Sequence, residues 1–195
     1  MYKDLLSAIA ITLTFIAYFP YIRAILRGQV KPHVFSWIVW GLTTCIVFFA
    51  QLAGGAGIGA WSTAVSGLIT LYVAFLAYQH CADNGIVRAD WVFFILALSS
   101  LPLWFFTSDP FWAVLILTLT DLLGFVPTLR KTYVSPFDEQ LTFFMIIAIR
   151  SAIAIVALEH YSATTILFPA MIVTVCITFV IMVLVRRRVL KNADT

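Results

Sequence analysis

Seven apolar runs, each about twenty residues long, follow one another along the chain with short polar segments between them. They cover residues 4–26, 35–53, 58–79, 88–106, 111–130, 141–159 and 163–185. A helix that crosses a bilayer needs about 20 mostly apolar residues, and its backbone polar groups must be satisfied within the segment. The pattern therefore predicts an all-α integral membrane protein with seven transmembrane helices.

Composition supports lipid as the surrounding solvent. The 195 residues are 63% hydrophobic and 11% charged, with a mean hydropathy of +1.03. A water-soluble domain is about 45–50% apolar and about 25% charged. The net charge of +3 gives no reason to expect nucleic acid as a partner, and the three cysteines lack metal-ligand spacing. No pairing of a nucleophile with a base, no metal cluster and no phosphate-binding glycine loop is present, so we expect neither an enzyme nor a cofactor.

The basic residues are concentrated on one side of the predicted bundle. Ten of the twelve Lys and Arg residues lie in the segments after runs one, three, five and seven, whereas the opposite segments hold only Lys3. Cytoplasmic loops carry the excess of Lys and Arg. We therefore expect a multi-pass protein of the cell inner membrane, with its N-terminus outside and its C-terminus in the cytoplasm.

A short motif occurs twice and reveals an internal repeat. "YFPYIR" at 18–23 aligns with "FVPTLR" at 125–130, and "VKP" at 30–32 aligns with "VSP" at 134–136. Each motif is followed by two more apolar runs. The chain therefore reads as a first three-helix bundle at 1–80, a linker helix 4 at 81–108, a second three-helix bundle at 109–186 and a basic cytoplasmic tail at 187–195. The two bundles are parallel repeats, a common plan in transporters, which place their substrate between the repeats.

Pro20 and Pro127 occupy equivalent positions in the two motifs. Proline removes a backbone donor and clashes with the carbonyl four residues earlier, so each is expected to kink its helix. Paired kinks act either as hinges for alternate opening or as fixed shapes, and the sequence leaves both interpretations open.

The three-plus-one-plus-three plan, together with "TLTFIAYFPYIRAILRGQVKPHVFSWIVWG" at 12–41, resembles the SWEET and PQ-loop superfamily, whose single-repeat bacterial members are the SemiSWEETs. The resemblance implies two three-helix bundles joined by helix 4, with a substrate pocket between them. Two positions depart from the family motif, because Tyr21 and Thr128 stand where a glutamine often follows the proline.

Sugar-carrying members of that family have an asparagine in the third helix of each bundle. The repeat places Ser66 and Ala170 at those positions, so the resemblance does not extend to sugar recognition. The solute class stays open, as sugar-like or as a small carboxylate- or vitamin-like molecule.

Asp121 and Arg150 are the acid and the base that lie well inside apolar runs. A charge at the centre of a bilayer costs about 2.5–3.5 kcal/mol on insertion scales. Their similar depth within one bundle suggests that the two are within reach of each other. Either they form a structural ion pair, or one or both face the pocket. In the second case Arg150 would hold a carboxylate or phosphate, and Asp121 would titrate and couple transport to protons.

Aromatic and hydroxyl residues complete the predicted pocket. Trp37 and Trp40 lie one turn apart near the start of the second run, and Thr14 is the repeat partner of Asp121. Trp at a helix end also suits the membrane interface, and hydroxyls also bond between helices.

Two functions fit this reading. The first is a transporter that moves a small polar solute by alternating access between the two bundles. The alternative is a membrane ligand receptor on the same fold, an architecture that the KDEL receptors resemble. The expected partners are a small-molecule substrate and the lipid bilayer, and self-association into a homo-oligomer stays open.

Overall fold

The computed structural model describes residues 2–28, 34–80, 88–134, 136–137 and 141–193. Within these ranges the chain forms seven α-helices and one short 3₁₀ helix. The helices are α1 (Tyr2–Leu26), α2 (Val34–Ala53), α3 (Trp61–His80), α4 (Arg88–Thr107), α5 (Pro110–Val134), α6 (Leu141–Ala157) and α7 (Ala163–Ala193). The 3₁₀ helix Gly57–Ala60 leads directly into α3. The prediction of an all-helical protein is confirmed for the described residues, and the seven apolar runs each correspond to one helix.

Local sequence explains where two of these helices begin. Asp109 accepts a hydrogen bond at Oδ1 from the backbone N–H of Phe111 at 2.9 Å, and Pro110 occupies the first helical position of α5. Ser162 and Thr165 bond reciprocally, each side-chain oxygen accepting from the backbone N–H of the other, at the start of α7. Side-chain acceptors of this kind satisfy the N–H groups that a helix start leaves free.

Three described helices are long and apolar enough to cross a membrane, namely Tyr2–Leu26, Gly57–Gln79 and Ala163–Asn192. Four shorter apolar helices accompany them, at Trp37–Ala53, Phe94–Thr107, Pro110–Phe125 and Leu141–Ala157.

Polar and apolar side chains are distributed in the manner of a membrane protein. Large apolar side chains such as Phe105 and Phe106 are about four-fifths exposed, whereas hydroxyls such as Thr14 and Thr43 are fully buried. Exposed apolar surface of this kind suits contact with lipid.

The helix contacts follow the repeat. In the first half (1–80), α3 packs against both α1 and α2, and in the second half (109–186), α7 packs against both α5 and α6. Between the halves, α1 packs against α6 and α2 packs against α5. Helix α4 packs against α5 and α2. Replacing each helix by its repeat counterpart exchanges the contacts within the two halves and exchanges the α1–α6 and α2–α5 contacts, whereas the contacts of α4 and the α2–α7 contact lie outside this correspondence.

One end of the molecule is held by a set of directional bonds that we call the N-terminal closure, formed by Lys3, Ser7, Ile58, Leu158 and Glu159. Lys3 donates from Nζ to the carbonyl of Leu158 at 2.6 Å, and Ser7 donates from Oγ to the carbonyl of Ile58 at 2.8 Å. The Ile58 N–H donates to Oε1 of Glu159 at 3.4 Å. The 3₁₀ helix of the first half is thereby bonded to the turn between α6 and α7 of the second half.

A chain of aromatic contacts, the aromatic network, joins the halves closer to the other end. It comprises residues Tyr18, Tyr21, Trp37, Trp40, Phe125, Phe143, Phe144 and Phe179. Tyr21 stacks on Trp37 with ring centroids 5.0 Å apart, and Tyr18 meets Phe143 edge-on at 5.6 Å. Tyr21 also lies 6.4 Å from Phe143, so the network crosses from α1 to α6.

Pro20 lies inside α1, which continues as a helix on both sides of it. Pro127 occupies a helical position of α5, and its side chain lies outside the described residues. Both prolines therefore lie inside a helix, at equivalent positions of the repeat. Their action as hinges stays a prediction. The basic segment of 187–195 continues α7 as a helix as far as Ala193.

The close approach at the N-terminal closure gives a first prediction. A Cβ placed on Gly59 would lie 2.7 Å from the backbone nitrogen of Leu158, a contact that no side-chain rotation relieves. We expect Gly59→Ala to lower the free energy of unfolding by about 1–3 kcal/mol, the usual cost of overpacking. Gly54→Ala is the matched control, because its Cβ would meet the side-chain atoms of Thr164 at 3.1 Å, and these can yield. Equal losses in reversible unfolding in detergent would contradict the close packing at Gly59.

Candidate functional site

Arg150 lies on α6, facing the first half of the chain. Its side chain is only 6% exposed. Nη1 donates to the backbone carbonyl of Ser62 on α3 at 3.0 Å, and Nη2 donates to Oγ of the neighbouring Ser151 at 3.3 Å. The side chains of Tyr18 on α1 and Cys176 on α7 also lie near the guanidinium. We call Arg150, Ser62, Ser151 and Tyr18 the arginine cluster.

A stripe of hydroxyls continues from this cluster along α3. Ser62, Ser66 and Thr70 recur every four residues and therefore share one face of the helix. The phenol oxygen of Tyr18 lies 3.3 Å from Oγ of Ser66 and 3.1 Å from Oγ1 of Thr70. Tyr18 thus connects the arginine cluster to the stripe and also belongs to the aromatic network.

Asp121 lies on α5 and bonds to a different helix of the first half. Its Oδ1 accepts a hydrogen bond from Oγ1 of Thr43 on α2 at 2.9 Å. The hydroxyl of Thr43 also lies 2.9 Å from the carbonyl of Trp40, and the indole of Trp40 approaches Gly124 so closely that a Cβ there would lie 3.2 Å from Nε1. Asp121, Thr43, Trp40 and Gly124 form what we call the aspartate cluster.

The two charged side chains therefore have separate partners. Their recorded bonds go to Thr43 for Asp121 and to Ser62 and Ser151 for Arg150, and no ion pair joins them in the described ranges. Each charge from the second half is held by the first half instead. Because the α2–α5 and α1–α6 contacts are different interfaces, equal depth in the membrane does not bring the two side chains together.

The remaining predicted residues lie at several places. Ser66 joins the arginine cluster through Tyr18, and Trp40 belongs to the aspartate cluster. Trp37 stacks on Tyr21 in the aromatic network. Thr14 is fully buried and donates to the carbonyl of Ala10 in its own helix at 2.8 Å. Ala170 is half-buried, and its recorded bond is the one that its carbonyl accepts from Thr174 at 2.9 Å.

Sequence reasoning missed several residues that bond to Arg150 or to the hydroxyls beside it. Ser62, Thr70 and Ser151 were not singled out, and Tyr18 was read only as part of the repeated motif. The four-residue spacing of hydroxyls in α3 was a usable signal, because polar groups on one face of a membrane helix point into the protein. No comparable pattern marked Tyr18 or Ser151, whose role depends on where α6 packs.

The chemistry available at these clusters is polar binding. They offer a buried guanidinium, a half-buried carboxylate and buried hydroxyls, and each charged group bonds to the opposite half. In the ranges the structure covers, no group of three or more His, Cys, Asp or Glu side chains could hold a metal ion.

No protein-family model, no curated protein and no solved structure matches this chain.

Because Asp121 and Arg150 bond to different partners, we expect them to contribute independently to the stability of the protein. We expect Asp121→Ala and Arg150→Ala to destabilise the protein additively, to within about 0.5 kcal/mol, because the two side chains share no recorded partner. Asp121→Ala combined with Thr43→Val should be non-additive, because each change removes the same hydrogen bond. Double-mutant cycles of reversible unfolding in detergent measure both couplings. A coupling between Asp121 and Arg150 as large as that between Asp121 and Thr43 would show that the two charges interact directly.

Proposed function

We propose that this protein is a transporter with seven transmembrane helices, which moves a small polar solute by alternating access between two parallel three-helix bundles. The bundles are α1–α3 and α5–α7, with α4 as the linker. The helix contacts support this arrangement, because the repeat exchanges the contacts within the two halves and the α1–α6 and α2–α5 contacts between them. Parallel repeats of this kind place a solute site between them.

The observation that carries the proposal is the position of two charged side chains, Arg150, which is buried, and Asp121, which is half-buried. Asp121 and Arg150 both belong to the second half, and both bond to the first half. A charge buried in the membrane is costly and marks a solute or ion pathway more often than a plain structural contact. Since the bonds cross the interface, any separation of the halves exposes the charges to whatever enters between them.

The two ends of the interface support alternate opening. Along α6, Arg150 lies seven residues after Phe143 of the aromatic network and eight before Leu158 of the N-terminal closure, about 10–12 Å from each at the helical rise. The arginine cluster is thus flanked by a contact between the halves on either side. Opening one of these contacts at a time would expose the cluster to one side of the membrane.

The charge pattern supports an orientation for this cycle. With seven crossings, the N-terminal closure faces outside and the aromatic network lies towards the cytoplasm, in a cell inner membrane. The closure would then be the outer gate, and α7 would carry its basic end, Arg186 to Lys191, into the cytoplasm.

The direct test is uptake into proteoliposomes. We expect saturable uptake of at least one solute from a panel of sugars, amino acids, carboxylates and vitamins, in vesicles that contain the purified protein. Protein-free vesicles are the control for passive leakage. Saturable binding of a solute to the detergent-solubilised protein without uptake would overturn the transporter and favour a membrane ligand receptor on the same fold.

A cross-link at the N-terminal end tests whether that end must open. A Cβ on Gly54 at the end of α2 would lie 3.3 Å from Cβ of Thr164 at the start of α7, close to the separation in a disulfide. We expect Gly54→Cys combined with Thr164→Cys, in a background without the native cysteines, to lose uptake on oxidation and to regain it on reduction. The two single variants are the controls. Undiminished uptake after complete cross-linking would show that this end stays closed throughout.

A further inference from the structure

Arg150 has more hydrogen-bond donors than the described protein satisfies. A guanidinium carries five N–H groups and accepts none. Two recorded bonds leave Nη1 and Nη2, to Ser62 and Ser151, and the second is long at 3.3 Å. Nε is buried and has no acceptor within the described ranges. A buried unsatisfied donor is rare and costly in folded proteins.

The charge of Arg150 is likewise uncompensated by its recorded partners. Both bonds end on neutral oxygens, and the carboxylate of Asp121 is bonded to Thr43 at the other interface. Glu159, also on the second half, is bonded to Ile58 in the N-terminal closure. Burying a cation without a counter-ion is costly, so the site favours an anion of equal charge.

A purely structural role explains only part of this arrangement. The bond to the Ser62 carbonyl needs one donor, which a neutral amide would supply at a smaller cost of desolvation. The edge formed by Nε and Nη2 would then carry only the long bond from Nη2 to Ser151, with Nε lacking an acceptor in the described ranges. That edge has the planar, two-donor geometry that matches a carboxylate.

We infer that Arg150 binds the carboxylate of a small monoanionic solute at the interface of α1, α3 and α6. The inference rests on the proposed function and deepens it, because it names the chemical class of the solute. A single uncompensated positive charge matches a monoanion, whereas a phosphate dianion would leave a negative charge buried. The hydroxyls of Tyr18, Ser66 and Thr70 supply hydrogen bonds for a polar group elsewhere on the solute.

Matched acids and amides test this inference on the unaltered protein. The probes are lactate and lactamide, nicotinate and nicotinamide, and benzoate and benzamide, each added at constant ionic strength. Each pair keeps its shape and loses only the charge. In at least one pair we expect the acid to raise the melting temperature and to bind about tenfold more tightly than its amide, or better, by titration calorimetry. Equal behaviour of acid and amide in every pair, including no effect of either, would overturn the inference.

Arg150→Lys separates the planar fork from the charge. Lysine keeps the positive charge but cannot present two parallel N–H groups. We expect about tenfold weaker binding of the acid that the unaltered protein prefers, with the acid–amide difference reduced. Arg188→Lys, at an exposed position near the end of α7, is the matched control and should bind as the unaltered protein does. If Arg150→Lys does not fold, the acid–amide comparison decides alone.

The outcomes distinguish this inference from the proposed function. Saturable uptake of an uncharged sugar that Arg150→Lys leaves unchanged would overturn the carboxylate site and keep the transporter. Tight binding of an acid but not its amide, with no uptake of that acid, would keep the carboxylate site and overturn the transporter. Inorganic phosphate that displaces the bound acid at equal concentration would overturn the assignment to a monoanion.

Discussion

Charged side chains inside an apolar helical bundle must find their partners in protein, and in the described part of this chain Asp121 and Arg150 of the second half find partners in the first. Asp121 takes a hydrogen bond from Thr43, and Arg150 donates to the carbonyl of Ser62. Neither charge is neutralised by these neutral partners. The same bonds therefore hold the halves together and leave each charge able to accept a better partner. In the proposed transport, a solute that supplies that partner would lower the cost of separating the halves.

The internal repeat explains why the two charges do not meet. The spacing of the motifs pairs Asp121 with Thr14, and the spacing after the loop pairs Arg150 with Ile46. Under the same correspondence the α1–α6 contact is equivalent to the α5–α2 contact. The α1–α6 contact therefore has the charged Arg150 on α6 and the uncharged Thr14 on α1. The α2–α5 contact has the charged Asp121 on α5 and the uncharged Ile46 on α2. The acid belongs to one interface and the base to the other, so the duplicated architecture carries two chemically different polar clusters.

The extent of the helices was predictable from the apolar runs, which end within a few residues of the helix ends, with α7 as the exception. Its apolar run stops near residue 185, whereas the helix continues to Ala193, because Arg and Lys are good helix formers that need no apolar surroundings. The site was predictable only in part. Burial of a lone acid and a lone base in apolar runs pointed to Asp121 and Arg150. Their partners Thr43 and Ser62 depend on which helices pack together, which hydrophobicity does not encode.

The N-terminal closure and the aromatic network, which both join the halves, are made of different kinds of contact. The difference bears on the proposed opening of one end at a time. The N-terminal closure is made of hydrogen bonds to backbone carbonyls, which are directional and weaken steeply when the geometry changes. The aromatic network is made of ring contacts, which tolerate sliding and tilting over several arrangements. Without these two contacts, the bond from Arg150 to Ser62 would still join α6 to α3, and the bond from Thr43 to Asp121 would still join α2 to α5. Under the proposed alternating access, these two bonds would hold the halves together while one end is open.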